Sequence, residues 1–373
     1  MAQYKQSMTR MMGLADWQGE KEQQQAKSSI SIAGGMSAAA PGGLINMDQL
    51  MGQSADMEFT DIEGMQVHAL VEMPQFAEFL RRYSEYILRV VVPVLWVVLL
   101  VLFMDRDSFL RTMLMPLIGI LAALLANCIP IGGGIVYVPL LSLLGEDINL
   151  SVAFTVATMT IGNGVFGFLH WLATDPSLII WESFLYTVLP CSLGSASGIL
   201  FMPPLDALWV KKFFGAFCLL VAVYVALLAR AYGEGDDKAS AMPAVARTRP
   251  APSRAQWAVV ASVFFLSGLL LVTSIGIGPA LIAFFMLGDN YLGYSQKQAI
   301  VTGIITGGWV SAVPFLLHLL VLGDVPIRLW IMVLPGVYMG AMLAPRVYDI
   351  VGMQKIFAAF SVFLFMSAAM FLR

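Results

Sequence analysis

The sequence predicts an all-α, polytopic integral membrane protein with two homologous repeats, and three observations support this prediction. Hydrophobic residues make up 59% of the 373-residue chain and charged residues only 12%, whereas soluble domains contain roughly 25% charged residues. Several apolar runs approach the ~20 residues that a helix needs to cross a bilayer. Clusters of glycine and proline interrupt the apolar pattern once in each half of the chain.

The N-terminal part of the chain differs in kind from the rest. Residues 1–80 are polar and rich in Met and Gln, and they contain no basic start followed by an apolar core. We therefore expect a flexible extramembrane tail without a signal peptide, with an amphipathic helix near Pro74–Tyr86. An extra transmembrane helix is predicted at residues 86–104, and the arginines that flank it favour a cytoplasmic tail.

The first repeat is predicted at residues 109–232. It begins with an apolar run to Cys128, followed by the break at Pro130 and the Gly132–Gly134 run, and then by a short helix to Leu144. That helix is too short to cross a membrane alone. Three full spans complete the repeat.

A linker is predicted at residues 233–256 and the second repeat at residues 257–373. The linker is rich in Pro, Ala and charged residues, so we expect it to be disordered. Its basic residues predict a cytoplasmic location. The second repeat has the same order of long and short apolar runs, with its break at 273–279. Local similarities between the halves support a duplication. The matching pairs are Val188–Pro190 with Val333–Pro335, Lys212–Phe217 with Lys355–Phe360, and His170 with His318. Asn163 and Ser311 also occupy roughly matching places.

The orientation of the repeats depends on what the breaks do. If each break turns a re-entrant helix pair, each half crosses the membrane an odd number of times and the second half is inverted. If the short helices complete full crossings, the repeats are parallel. We prefer inverted repeats.

The two breaks predict a substrate site. Irregular backbone at membrane depth survives only where protein buries it or where it lines a wet cavity, and paired broken helices in matching halves indicate a transporter's binding site. A freed helix N-terminus offers backbone N–H groups and a positive dipole end, which attract anions. The predicted substrate-binding residues combine the breaks with nearby uncharged polar side chains: Asn127, Pro130, Gly132, Gly133, Gly134, Thr158, Thr160, Asn163, Thr273, Ser274, Gly276, Gly278, Thr302, Thr306 and Ser311.

Other classes of site are disfavoured. No Asp, Glu, Lys or Arg lies in the middle of a long apolar segment, which argues against carboxylate-based ion coupling. No P-loop motif, metal-ligand spacing or nucleophile–base set appears, so we predict neither an ATP-driven pump, nor a metal site, nor an enzyme. His170 and His318 are candidates for a proton-linked role, because histidine titrates near physiological pH; the alternative is that each is an ordinary interhelical histidine.

Residues at and after the breaks resemble the sulfite exporter TauE/SafE family of membrane permeases. The resemblance lies in Pro130–Gly134 with the Val138–Leu141 run and Gly145, in Gly276–Pro279 with Gly288, and in the Leu334–Ala341 stretch, and it covers roughly residues 109–372. It implies transport of sulfite, organosulfonates or other small organic anions.

The expected function is a secondary transporter or exporter of a small anion that works by alternating access between the two repeats. The expected substrate is a sulfur-containing anion, either sulfite or an organosulfonate. The alternative is a membrane sensor or assembly protein that keeps the duplicated fold and does not transport. Predicted partners are the anionic substrate, the lipid bilayer and a candidate coupling proton. Homo-oligomer formation stays open, and we predict no cofactor and no nucleic-acid partner.

Overall fold

The computed structural model describes residues 74–130, 132–202, 206–233, 252–273, 278–288 and 291–373. Within these ranges all regular structure is helical. Most of the predicted tail, the linker residues 234–251 and the second break at 274–277, with Ser274 and Gly276, lie outside the described residues.

Fifteen α-helices follow one another along the described chain, joined in places by short π or 3-10 turns. In chain order they are α1 Gln75–Tyr86, α2 Val92–Phe103, α3 Arg106–Thr112, α4 Met115–Cys128, α5 Gly134–Leu143, α6 Ile148–Ile161, α7 Phe168–Thr174, α8 Ser183–Phe201, α9 Ala207–Gly233, α10 Arg254–Leu269, α11 Gly278–Leu287, α12 Gln296–Val310, α13 Ala312–Leu317, α14 Ile327–Val351 and α15 Met353–Leu372.

These helices confirm the prediction of a multi-pass membrane protein. Seven of the helical segments in the described ranges are long and apolar enough to span a bilayer, and α3 with α4, bent by 46°, would make an eighth. Helices α5, α10 and α11 are apolar but shorter. The span formed by α6, a π turn at Gly162–Gly167 and α7 is the most buried of the seven, so the core of the protein surrounds it.

The helix that contains the first span starts earlier than residue 86. Helix α1 runs through a π turn at Ile87–Val91 into α2, which gives one continuous helix from Gln75 to Phe103. Helix α1 is amphipathic and contains four charged residues, whereas α2 is apolar throughout. The π turn lies just before Pro93, whose ring would collide with the preceding turn of a regular helix. The helix therefore passes the proline without ending, and it includes the last residues of the region predicted as a tail.

Proline and glycine end the helix at the first break. Helix α4 stops at Cys128, and Ile129 is extended with φ −132° and ψ 128°. Gly132 adopts a φ of 82°, which L side chains rarely take. Helix α5 then starts at Gly134. In the second half, α10 ends in a 3-10 turn at Leu270–Thr273 and α11 begins at Gly278.

The helices of the two halves pair crosswise. Helix α4 packs against α14 so closely that a Cβ on Gly336 would lie 1.8 Å from the carbonyl oxygen of Pro116, and Cys128 at the end of α4 reaches the carbonyl of Ala344. Helix α8 packs against α10 in the same way, since a Cβ on Gly268 would lie 2.1 Å from the carbonyl oxygen of Cys191. Both pairs run parallel. Helix α4 of the first half thus packs against α14 of the second half, and α10 of the second half packs against α8 of the first.

Helices α8 and α14 begin at opposite ends of the span formed by α12 and α13. The backbone N–H of Ile180, just before α8, donates to Thr302 in the second turn of α12. The ring of Trp330, in the first turn of α14, lies 5.5 Å from that of Phe315 in α13. Since α8 and α14 start at different ends of one span, they run in different directions along it.

Candidate functional site

The two long central spans cross at a pair of glycines. A Cβ on Gly308 of α12 would lie 2.0 Å from the backbone nitrogen of Gly164 in the π turn after α6. The indole N–H of Trp309 donates to the carbonyl of Gly164 at 3.0 Å, which fixes the crossing. Only residues without side chains allow two helix backbones to approach so closely.

The first break and the start of α11 meet beside this crossing. A Cβ on Gly303 of α12 would lie 3.0 Å from Cβ of Pro130 in the first break and 3.5 Å from the carbonyl oxygen of Ala280, in the first turn of α11 after the second break. Met159 of α6 lies between the halves, with Cγ 3.5 Å from the Cβ position of Gly133 and Cε 3.4 Å from that of Gly307. The structure therefore brings together two segments that are far apart in the sequence.

Asn127 and Asn163 connect the first break to the crossing. The side-chain amide of Asn127 donates to the carbonyl of Ala123 at 2.8 Å and contacts Oδ1 of Asn163 at 3.4 Å. Oδ1 of Asn127 is buried and has no hydrogen-bond partner among the described residues. Oδ1 of Asn127 is therefore a free acceptor beside the break. Such an atom is costly to bury without a partner.

Tyr137 is a residue that the sequence reasoning did not single out. It lies one turn into α5, and its ring atom Cε2 is 3.0 Å from the Cβ position of Gly133. The side chain is only 2% exposed, and the hydroxyl has no hydrogen-bond partner within the described ranges. A tyrosine one turn after a glycine run, in an otherwise apolar short helix, was the signal that could have identified it.

The predicted hydroxyl residues fall into three groups. Thr158, Thr160 and Ser311 each donate to the carbonyl four residues earlier in their own helix, at 2.8 Å, a common arrangement for hydroxyls in membrane helices. Thr302 bonds the segment before α8. Thr306 is fully buried, and its hydroxyl has no partner in the part of the chain that the structure describes. Thr306 is thus the member of the set whose donor is available.

Neither histidine lies at the breaks. His170 is in α7, near the end of its span, with its ring 5.8 Å from that of Trp171. His318 begins the π turn at the end of the matching span, and its Nδ1 lies 2.8 Å from a carboxylate oxygen of Asp324. The side chain of Thr273, like Ser274 and Gly276, lies outside the described residues.

The segments around the breaks contain no acidic or basic side chain other than histidine. Residues 112–145, 148–174, 255–288 and 298–323 include no Asp, Glu, Lys or Arg. Apart from histidine, these segments themselves offer a ligand only backbone dipoles, amides and hydroxyls; Arg346 belongs to α14, two residues after Ala344, which Cys128 contacts.

The chain matches the model of one protein family, described as sulfite exporter TauE/SafE, over residues 115–371. That region extends from the start of α4 almost to the end of α15, so it includes both breaks and the crossing. Neither a curated protein nor a solved structure matches the chain.

Proposed function

Because the chain belongs to the sulfite exporter TauE/SafE family, we propose that it is a secondary transporter for a small sulfur-containing oxyanion that bears a single negative charge. The observation that supports this most directly is that the first break and the start of α11 meet beside the crossing of α12 with the π turn after α6. Paired broken helices near the middle of a membrane protein are the usual setting of a transporter's substrate site.

The first break supplies groups that suit an anion. The N-terminus of α5 offers backbone N–H groups that lack an intrahelical acceptor, together with the positive end of the helix dipole. The ring of Tyr137 packs against Gly133 at this N-terminus, and its hydroxyl has no hydrogen-bond partner among the described residues. Thr306, adjacent to Gly307 at the crossing, adds a second free hydroxyl from the other half. Each such hydrogen bond contributes only about 0.5–1.5 kcal/mol net, so binding requires several together.

The uncharged surroundings favour a monoanion over a dianion. The self-energy of an ion in a medium of low dielectric rises with the square of its charge, so a dianion costs roughly four times as much to bury as a monoanion. The segments around the breaks offer no Lys or Arg to offset that cost. Neutral donors also release a monoanion more readily than a buried arginine would.

We further propose that the two halves are inverted repeats with re-entrant broken helices, and that transport occurs by alternating access. The crosswise pairing of α4 with α14 and of α10 with α8 supports this, because it is the reciprocal pattern that a pseudo-two-fold axis produces. The start of α8 and α14 at opposite ends of one span supports the inversion. Rocking one half against the other would then open the crossing to each side in turn.

The test is anion flux into proteoliposomes, with and without a pH gradient. Methanesulfonate and sulfate are the decisive pair, because both are sulfur oxyanions of fixed charge, one monovalent and one divalent; sulfite and acetate complete the set. We expect saturable flux of methanesulfonate, and sulfate flux lower by at least about tenfold, which corresponds to about 1.4 kcal/mol. Protein-free liposomes are the control.

Two outcomes would contradict the proposal. Equal flux of sulfate and methanesulfonate would refute the preference for a monoanion. Binding of these anions to folded protein without any flux would favour the alternative of a sensor or assembly protein. A response to the pH gradient would direct the next experiment to His170 and His318.

A further inference from the structure

Four polar residues form a stripe that leads from the surface to the crossing. Gln298, Thr302 and Thr306 recur at every fourth position, so they lie on one side of α12. Tyr294 precedes the helix, and it belongs with them because it bonds the same segment of the chain. The hydrogen bond of Gln298 is exposed, whereas those of Thr302 are buried. Thr306, the innermost member, adjoins the glycines of the crossing.

The three outer residues of the stripe bond one segment of the other half. The hydroxyl of Tyr294 donates to the carboxylate of Glu182. The side-chain amide of Gln298 donates to the carbonyl of Ser177 at 3.2 Å. Thr302 donates to the carbonyl of Leu178 at 3.2 Å and accepts the backbone N–H of Ile180 at 3.0 Å. We call these contacts between residues 177–182 and the stripe the hydrogen-bond zipper.

Local chemistry keeps the zipper formed. Burial raises the pKa of Tyr294, and the hydrogen bond to Glu182 raises it further, so the hydroxyl stays protonated and remains a donor. On the same side, the amide of Gln256 at the start of α10 donates to the carbonyl of Tyr291 at 2.9 Å. The zipper therefore lies at the end of the molecule where α10 starts.

The matching positions in the first half are different. One sequence register pairs His170 with His318 and Asn163 with Ser311. In that register the residues that correspond to the stripe are Glu146, Leu150, Phe154 and Thr158. Two of the three outer positions are therefore apolar. Among the hydrogen bonds of the described residues, none joins these side chains to residues 323–330, which correspond to the segment before α8.

We infer that the hydrogen-bond zipper is a gate that closes one side of the transporter, and that Thr306 is the first site residue it uncovers when it opens. This inference rests on the proposed transport function. Because each hydrogen bond contributes little net free energy, the zipper can open and close reversibly. The side chains of Leu150 and Phe154, at the matching positions, cannot form such hydrogen bonds, so the two ends differ in chemistry.

The test measures access to Thr306 directly. A Thr306→Cys variant is treated in detergent and in proteoliposomes with a membrane-impermeant thiol reagent, with or without Gln298→Leu and Thr302→Val together. Cys128, Cys191 and Cys218 are buried, so wild-type protein gives the background. We expect the double change to accelerate labelling by at least about tenfold, the effect of losing hydrogen bonds of this strength.

Two further variants keep the result interpretable. Tyr294→Phe removes one hydroxyl and should accelerate labelling in the same direction by a smaller factor, even if the double change misfolds. Leu150→Ala alters the matching position at the other end and should leave the detergent labelling rate unchanged. The gate is refuted if both zipper variants label at the rate of Thr306→Cys alone, or if Leu150→Ala accelerates labelling equally. Labelling needs neither substrate nor flux, so this outcome is separate from failure of the transport assay.

Discussion

Two buried polar atoms beside the first break distinguish this region from ordinary helix packing. The hydroxyl of Tyr137 and Oδ1 of Asn127 have no hydrogen-bond partner among the described residues, although leaving such a group unpaired costs about 1–3 kcal/mol. Both atoms lie on residues that flank the glycine run. At the residue scale, we propose that the Tyr137 hydroxyl donates to the bound anion. Oδ1 of Asn127 is itself an acceptor, so it cannot bind an anion.

Replacing Tyr137 with Phe separates a binding role from a structural one. Because the hydroxyl has no partner, we expect Tyr137→Phe to leave the free energy of unfolding unchanged or to raise it by about 1 kcal/mol. Flux of methanesulfonate should fall by about tenfold, the equivalent of one lost hydrogen bond of about 1.4 kcal/mol. Thermal unfolding in detergent and proteoliposome flux measure the two quantities.

Tyr224→Phe is the matched control for that prediction. Tyr224 lies in α9 and stacks on Phe285 at 4.4 Å, so it is a tyrosine packed elsewhere in the protein. Its replacement should not change flux. A loss of stability in Tyr137→Phe, or an equal loss of flux in Tyr224→Phe, would contradict a binding role for the Tyr137 hydroxyl.

At the scale of elements, the decisive feature is the close crossing of α12 with the π turn after α6. Gly307 and Gly308 are neighbours in α12, but only Gly308 meets backbone: its Cβ position is 2.0 Å from the nitrogen of Gly164, whereas that of Gly307 is 3.3 Å from the Cβ of Ala280. The two glycines therefore differ in how closely they are packed, although they are neighbours in the sequence.

Alanine at these two positions should have opposite consequences. Gly308→Ala forces the two helices apart, and we expect it to lower the free energy of unfolding by about 1–3 kcal/mol, as overpacking does. Gly307→Ala requires a shift of only a few tenths of an ångström and gains helix propensity of up to about 1 kcal/mol. Thermal unfolding of both variants in the same detergent is the measurement. Equal stability of the two would show that the helices do not cross where we place them.

At the scale of the whole molecule, the arrangement of the halves supports the mechanism that we propose. Helices from one half are held by helices of the other, so neither half presents a complete set of packing partners alone. The zipper and the crossing join the halves at different depths. A rocking motion would break the outer contacts and use the crossing as its pivot.

Inverted and parallel repeats predict different sidedness for equivalent residues. Thr174 and Leu322 occupy matching places at the ends of the two central spans, and both are exposed. If the repeats are inverted, cysteines introduced by Thr174→Cys and Leu322→Cys react with an impermeant reagent from opposite sides of oriented vesicles. The buried native cysteines keep the background low. Reaction of both from one side would establish parallel repeats instead.

The sequence by itself determined the membrane fold, the places of the helix breaks and the family. Hydropathy and backbone preference are properties of a few consecutive residues. The long apolar runs therefore predict the spans, and Pro130 and Gly132 predict the first break, without knowledge of the tertiary structure. The same local logic explains why the list of polar candidates could be written from sequence, and why Thr306 and Asn127 were in it.

Only the tertiary structure decided which of those candidates are free. Thr302 bonds Ile180, 122 residues away, while Thr306, one turn further along α12, has no partner in the described part of the chain. Tyr137 is distinguished only by the surroundings of its hydroxyl. Hydrogen-bond satisfaction and burial depend on segments that packing brings together from distant parts of the chain, and no local pattern specifies them.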